Sequence, residues 1–483
     1  MNDMHKAVPD AVQAMVEQLV GRARAAQRIA DGYDQARVDE LVAAAGWAII
    51  EPQRNRELAE LAVADTGIGN VDDKIRKNHR KTLGLLRDLA GCKTVGVIAE
   101  DAAKGLVEIA RPVGVVCAIT PSTNPAATPA NKIINALKAR NAVIVAPSPK
   151  GSSTAERLVG FIHAQFDRIG APRDLVQVLP APISKASTGE LMRQCDLVVA
   201  TGSQANVRAA YTCGTPAFGV GAGNVAGIVD ESADVEAAAE RVLRSKTFDN
   251  ATSCSSENHL VLLAPVRERM LAALEARGAV RLDTAQKAQL QRLMWPDGKL
   301  SSAVTGQSAR VVAERAGLAA IAERDPKILL VDEDGFGAEH PFSGEKLCPV
   351  LTVYTARDFD DALRIVERIY AYQGAGHSVG LHGSTAERAL MLGERLPVSR
   401  VIVDQAHCIA TGGSFDNGLP FSLSMGCGTW GGNSFSENLG YRHFLNITRI
   451  ARPIAPRNAD AVALLGDYLA TTGRSGAASQ LKS

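Results

Sequence analysis

Aromatic residues are scarce in this sequence: Phe, Trp and Tyr make up 4% of its 483 positions, so nothing argues for a site built around a bulky aromatic ligand. Charge of one sign is lacking too, because 53 Lys and Arg stand against 52 Asp and Glu and no long run of either occurs. That balance gives no electrostatic support to nucleic-acid binding or to a polybasic membrane contact. The longest apolar runs, such as NAVIVA at 141–146, fall far short of the roughly 20 residues a membrane-spanning helix needs. Residues 1–6 do not open a secretory signal, so a cytoplasmic protein is expected. The eight cysteines are scattered, without a CxxC pair or a His at zinc-ligand spacing, which argues against a metal site and for mostly small buried residues. No GxGxxG follows a strand to open a helix, so the usual dinucleotide fingerprint is missing.

What is present is an ordinary globular composition on a chain longer than one hydrophobic core usually supports, so two or three domains are expected. Residues 7–90 carry Leu and Ala at helical spacing among charges and predict two or three amphipathic helices. Two β-rich stretches, 93–99 and 105–116, flank a short charged turn and predict a projecting hairpin of the kind that extends a neighbour's sheet. From Val113 onward short apolar strands alternate with helices: VGVVCAIT, AVIVA, LVQVL, DLVVA and GIVD in one series, then HLVLL, KILLVD, LTVYTA, SVGLH and RVIVD. This is the rhythm of an α/β protein with two doubly wound parallel lobes, whose ligands bind where strands end in loops. The tail from Thr471 is small and polar, is expected to fray, and does not end in the peroxisomal SKL.

Three places invite chemistry. Asn124 follows the strand VVCAIT between Pro121 and Pro125, where a rigid amide either donates to an oxyanion or merely caps the next helix. Cys254 sits in FDNATSCSSENH, among Ser253, Ser255, Ser256 and Glu257 rather than in an apolar run, as a reactive thiol would. Glycine clusters at 214–224 and 425–438 allow backbone to approach a ligand or another chain, or are only tight turns, and Ala200–Ser203 (ATGS) starts a helix whose amides suit a pyrophosphate.

RPVGVVCAITPSTNP, KTFDNATSCSSEN, AAYTCGTPAFGVGAGN, EKLCPVL and GCGTWGGNSFSENLGYRHFLNI, in this order, resemble the CoA-acylating branch of the aldehyde dehydrogenase superfamily, and the likeness runs to about Ala451. The resemblance implies a cofactor-binding domain at 1–92 and 115–230, a catalytic domain at 231–447, and a hairpin (93–114) and tail (448–483) that build a homodimer or homotetramer. It implies Cys254 as nucleophile and Asn124 as oxyanion donor alongside the Cys254 backbone N–H. It further implies Glu345 at the nicotinamide ribose, Gly202 and Ser203 near the pyrophosphate, Thr120 on the nicotinamide side, and Ser148 and Lys150 near the adenosine ribose. Hydrolytic members carry a Glu that activates water, whereas the matching stretch here, GVGAGN, has no carboxylate. A thiol needs less help than water, so coenzyme A is the expected acyl acceptor, and the reaction joins a small aldehyde with acyl-CoA. With Pro147, Ser148, Pro149 and Lys150 after the strand at 141–146, no carboxylate repels a 2′-phosphate, so NADP is expected and NAD remains open. The look of residues 405–432 favours sulfoacetaldehyde as substrate, and His407, Arg442, His443 and the amides of 412–417 are the candidate sulfonate donors. Acetaldehyde, succinic semialdehyde and a hydrolytic reaction stay open as alternatives. A scaffold or a catalytically dead binding protein fits less well, since Cys254, Asn124 and Glu345 are all present and no linker precedes the first helix.

Overall fold

The computed structural model describes residues 9–383 and 385–472, so residues 1–6 and most of the expected polar tail lie outside the described residues. The chain divides into two compact units: Met1–Thr94 with Pro112–Asn446, and Val95–Arg111 with Ile447–Ser483. Four helices open the first unit: α1 (Asp10–Asp31), α2 (Gln35–Ile50), α3 (Pro52–Thr66) and α4 (Val71–Leu89). Local chemistry sets their ends. Asp34 and Asn70 cap α2 and α4 by accepting from backbone N–H groups, and Gly67 stops α3 in the left-handed conformation that only glycine adopts without strain.

The expected hairpin forms β1 (Gly96–Asp101) and β2 (Leu106–Pro112), which pair antiparallel in the second unit. After it come β3 (Val115–Thr120), α5 (Ala127–Lys138), β4 (Ala142–Pro147), α6 (Ser152–Arg168), β5 (Val176–Val178) and α7 (Lys185–Gln194). Then follow β6 (Leu197–Thr201), α8 (Gln204–Thr212) and β7 (Ala217–Val220). Among the described residues these five strands make a parallel sheet in the order β5-β4-β3-β6-β7. Every residue of β3 and β4 is buried, as a strand covered by helices on both faces must be, which is why both read as unbroken apolar runs. The order reverses between β3 and β6, and the crevice at the carboxyl ends of those two strands is the natural ligand site of such a sheet.

A second sheet uses β8 (Val225–Val229), followed by α9 (Val235–Thr247), then β9 (Glu257–Leu263), β10 (Ala279–Arg281) and β11 (Ile328–Asp332). It is completed by β12 (Val350–Ala356), β13 (Val379–His382) and β14 (Val401–Val403), in the order β10-β11-β12-β9-β8-β13-β14. The two-sheet parallel α/β fold is the expected one, with a correction at GIVD. That stretch belongs to β8, which pairs with β9 and β13, so it starts the second sheet instead of ending the first, and the chain changes sheets in the glycine-rich 221–224. The reason is that β8 and β6 are both short, mostly apolar and buried, and only pairing tells them apart. In the second unit β15 (Leu445–Ala451) joins β2 in a three-stranded sheet, and a helix, Ala461–Thr471, follows.

Candidate active site

The second sheet presents its amino edge to the chemistry. Asn224, Cys254, Lys346 and His377 lie one to four residues before β8, β9, β12 and β13, and because these strands are parallel, the loops entering them collect at one edge. Cys254 is partly exposed and its Sγ is 3.4 Å from Nε2 of His377. Burial, and then the charge of the Glu345 carboxylate, push the Cys254 thiol well above its ordinary range. Burial likewise moves the Glu345 carboxyl up to about 8, against the pull of the Gly223 N–H, which donates to Glu345 Oε1 at 3.1 Å. Gly223 must be glycine: a Cβ there would stand 2.2 Å from the Cys254 carbonyl oxygen. One of the three glycines of GVGAGN is thereby explained as close backbone packing against Cys254.

The loop that carries Cys254 is strained and anchored. Asp249, Asn250 and Ala251 take φ of 50°, 53° and 58°, a left-handed turn that non-glycine residues adopt only when surroundings enforce it. Asp249, fully buried, supplies the enforcement. Its N–H donates to Asp73 Oδ2 at 2.8 Å, and its carboxylate accepts from Asn70 N, Lys74 Nζ, Lys77 Nζ and Thr252 Oγ1. Burial raises the Asp249 carboxyl, and the two lysines overcome that and hold it below the usual range. All four partners other than Thr252 come from the first turns of α4 or its cap, so α4 clamps the loop that carries Cys254.

The same clamp reaches Asn124. Lys77 Nζ donates to Asn124 Oδ1 at 2.8 Å, and Lys74 Nζ donates to the Thr123 carbonyl at 3.1 Å. With the amide oxygen committed to an ammonium, the amide nitrogen has, among the described residues, only Thr123 Oγ1, at 3.5 Å, as an acceptor, which leaves an N–H for an oxyanion. The capping alternative is not what occurs: α5 has no side-chain cap, and Asn124 contributes only its backbone carbonyl, which accepts from Thr128 N.

Thr120 ends β3, and Ser148, Gly202 and Ser203 follow the carboxyl ends of β4 and β6. The Thr120 hydroxyl is buried and has no hydrogen-bond partner among the described residues, an orphaned donor at the switch point of the sheet. Ser203 caps α8 by accepting from Asn206 N, and Gly202 at φ 154° bends the chain there. Ser148 is half-buried and Lys150 exposed. An unsatisfied hydroxyl, a helix N-terminus and an open turn fit a dinucleotide.

Residues proposed for an anionic substrate fare differently. His407 is 1% exposed and its Nε2 bonds Ser378 Oγ at 2.8 Å, so it lies behind His377 and offers nothing to a ligand beside Cys254. Arg442 is exposed and donates to the Tyr441 hydroxyl, while His443 pairs with Glu437. In the 412–417 loop the backbone groups that meet a cation are carbonyls: Gly412 and Gly413 accept from Lys81 Nζ. Positive charge reaches the site from elsewhere. Lys74, Lys77, Lys246 and Arg400 are all buried, and Arg400 bonds only uncharged oxygens among the described residues: Asn438 Oδ1 and the carbonyls of His377, Gly426 and Ser436. Sequence reading missed His377, Lys77, Asp249 and Arg400. The one available signal was a lone His in the glycine-rich GAGHSVG, entering a strand as Cys254 does.

Residues 2–290 match the model of the aldehyde dehydrogenase family. The chain is 68% identical to the acylating sulfoacetaldehyde dehydrogenase of Cupriavidus necator, over 95% of this chain and 93% of that one. It is 37% identical to the acetylating succinate-semialdehyde dehydrogenase of Clostridium kluyveri, over 91% of this chain and 96% of the relative. Its backbone is similar to that of the acetylating aldehyde dehydrogenase from Geobacillus thermoglucosidasius, with a TM-score of 0.89, 33% identity, and coverage of 95% and 100%. Among the described residues no helix is long and apolar enough to cross a membrane.

Proposed function

Because the chain belongs to the aldehyde dehydrogenase family, in its CoA-acylating branch, we propose that it interconverts sulfoacetaldehyde, CoA and NAD(P)+ with sulfoacetyl-CoA and NAD(P)H through a thioester on Cys254. The observation that carries the mechanism is that one lysine, Lys77, holds both the Asn124 amide oxygen and the Asp249 carboxylate of the loop that carries Cys254. Glu345, poised to about 8, accepts the thiol proton. The thiolate sulfur attacks the aldehyde carbon, and the Asn124 amide and the Cys254 backbone N–H stabilise the oxygen as it becomes an anion. A nicotinamide cofactor would be held by Thr120, Gly202 and Ser203 and would supply the hydride acceptor. The sulfur of CoA then displaces Cys254 from the acyl group. The glycine stretch at 219–224 offers water no carboxylate base, which favours the thiol as acceptor.

The substrate reading rests on the most similar relative reported above and on charge: Lys74 and Lys77 are paired with Asp249, whereas Arg400, near Cys254, and Lys246, near Glu345, are buried cations with no carboxylate hydrogen bond among the described residues, which suits an anionic aldehyde. Ser148 and Lys150 favour NADP, and the hairpin 93–114 with the tail from 448 is the surface through which the chain forms a dimer or tetramer. The test follows absorbance at 340 nm with sulfoacetaldehyde, acetaldehyde or succinic semialdehyde, either cofactor, and CoA present or absent. CoA-dependent reduction with sulfoacetaldehyde preferred is expected. Equal rates without CoA would overturn the acylating mechanism, and preference for a neutral aldehyde would overturn the substrate.

A further inference from the structure

A chain of three hydrogen-bonding groups runs backward from the nucleophile. Cys254 Sγ is 3.4 Å from His377 Nε2, His377 Nδ1 is 2.8 Å from Ser378 Oγ, and Ser378 Oγ is 2.8 Å from His407 Nε2. All three groups behind the sulfur are buried, and their backbones are pinned. Arg400 donates to the His377 carbonyl at 3.2 Å, Tyr370 OH donates to the Ser378 carbonyl at 2.6 Å, and His407 opens a short helix whose next residue donates to Ser245 Oγ at 2.9 Å.

Ser378 has one hydroxyl hydrogen, so the chain points one way or the other. Toward His407, it leaves His377 Nε2 bare, a base facing the thiol. Toward His377, it leaves Nε2 carrying the hydrogen, a donor facing the sulfur. The far end decides. Among the described residues His407 Nδ1 has no hydrogen-bond partner, and it faces the backbone of Gly380 in β13, where an added Cβ would lie 3.0 Å away. The neighbour at that nitrogen is therefore a Cα–H, which can meet a lone pair but cannot receive a proton. A buried N–H without an acceptor costs about 1–3 kcal/mol, and buried orphan donors are rarer than under-used acceptors. The His407 hydrogen thus belongs on Nε2.

We propose that His407 is a positioning residue: through Ser378 it fixes His377 in the tautomer that donates Nε2–H to Cys254 Sγ, so that His377 stabilises the thiolate and does not act as its base. The direction of transfer follows: His407 Nε2–H to Ser378 Oγ, Ser378 O–H to His377 Nδ1, His377 Nε2–H to sulfur. When the thiol ionises, the S–H electron pair stays on sulfur and the proton goes to the Glu345 carboxylate. The charged groups around the chain agree with neutral rings. Burial, with Arg400 beside His377 and with His377, His382 and Arg400 beside His407, disfavours either imidazolium, and the His377 ring is pushed down to about 3. Glu345 is the carboxylate near the sulfur.

This inference rests on Cys254 being the nucleophile, and its test reads the thiol itself, whatever the aldehyde. The rate of Cys254 alkylation by iodoacetamide is followed against pH by mass spectrometry of its peptide, with Cys254→Ser as blank, in the wild-type oligomer and in His407→Gln, His407→Met and Ser378→Ala. Gln keeps an N–H where His407 Nε2–H stands; Met does not; Ala removes the relay. We expect wild type and His407→Gln to share one midpoint, and His407→Met and Ser378→Ala to shift it upward by about one pH unit, a roughly tenfold slower alkylation at neutral pH. kcat should fall in parallel with little change in KM. Should His407→Met fold poorly, Ser378→Ala, which keeps both rings, decides alone. An unchanged or lowered midpoint in Ser378→Ala, or an equal rise in His407→Gln, overturns the proposal. The thioester reading is tested separately: it fails only if Cys254→Ala still turns over.

Discussion

Replacing Lys77 by Met is the sharpest test of the clamp. Lys77 Nζ holds Asn124 Oδ1 at 2.8 Å and Asp249 Oδ2 at 2.5 Å, so the substitution has two effects of different kinds. Removing one partner of a buried ion pair costs about 3–5 kcal/mol. Asp249 keeps Lys74 Nζ, Thr252 Oγ1 and the Asn70 N–H, so the loss should fall at or below the lower end, about 2–3 kcal/mol. Catalytically, nothing then fixes which way the Asn124 amide points, and loss of one oxyanion donor costs about 10²- to 10³-fold in kcat. Because Lys77 acts through Asn124, the two losses should not add. Lys77→Met and Asn124→Ala should each lower kcat by about that factor, and the double variant should be no more than a few-fold worse than Asn124→Ala. The assay is CoA-dependent cofactor reduction at saturating substrates, on proteins whose melting curves show them folded. Full multiplicativity, or a Lys77→Met enzyme within about threefold of wild type, would refute the argument.

Glu345→Gln should remove the rise in activity that a carboxylate with its pKa pushed up to about 8 places on the alkaline side of neutrality, measured as the pH profile of the acylation step. The stability sign is opposite: a carboxyl raised in the folded state favours folding below its ordinary range and loses that contribution as pH climbs to about 8, so Glu345→Gln should melt above wild type at pH 8 and alike near pH 4. Gly223→Ala drives a Cβ to 2.2 Å from the Cys254 carbonyl and should abolish turnover, seen also as loss of selective Cys254 alkylation. Lys150→Glu should raise the KM for NADP by tenfold or more while leaving that for NAD within about twofold, since a carboxylate there repels only the 2′-phosphate.

The parallel sheets were legible because β3, β4 and β9, buried on both faces, leave continuous apolar runs. The sheet to which β8 belongs was not, since pairing partners lie outside any local pattern. Cys254 stood out through its polar neighbours. Asn124 stayed ambiguous until Lys77, 47 residues earlier, was seen to hold its oxygen. On α4, Lys74, Lys77 and Lys81 sit at i, i+3 and i+7, a spacing that in sequence reads as a charged surface stripe, yet all three are buried against carbonyls, amides and one carboxylate. Arg400 was invisible for the same reason, and His377 left only the signal of a lone His in a glycine-rich loop: a single polar residue beside a strand acquires meaning only from what the fold brings opposite it.

The dependence of the Cys254 loop on α4 has a kinetic side. Its ties to Asn70, Asp73, Lys74 and Lys77 span 172 to 179 residues of chain, and Lys81 reaches 331 residues forward to Gly412. Contacts of such separation form after local helices and strands, so the left-handed turn at 249–251 is stabilised only when the two sheets have docked. A nascent or half-folded chain therefore carries Cys254 on a relaxed loop, without the Asn124 amide beside it, and reactivity toward aldehydes appears as the final product of folding.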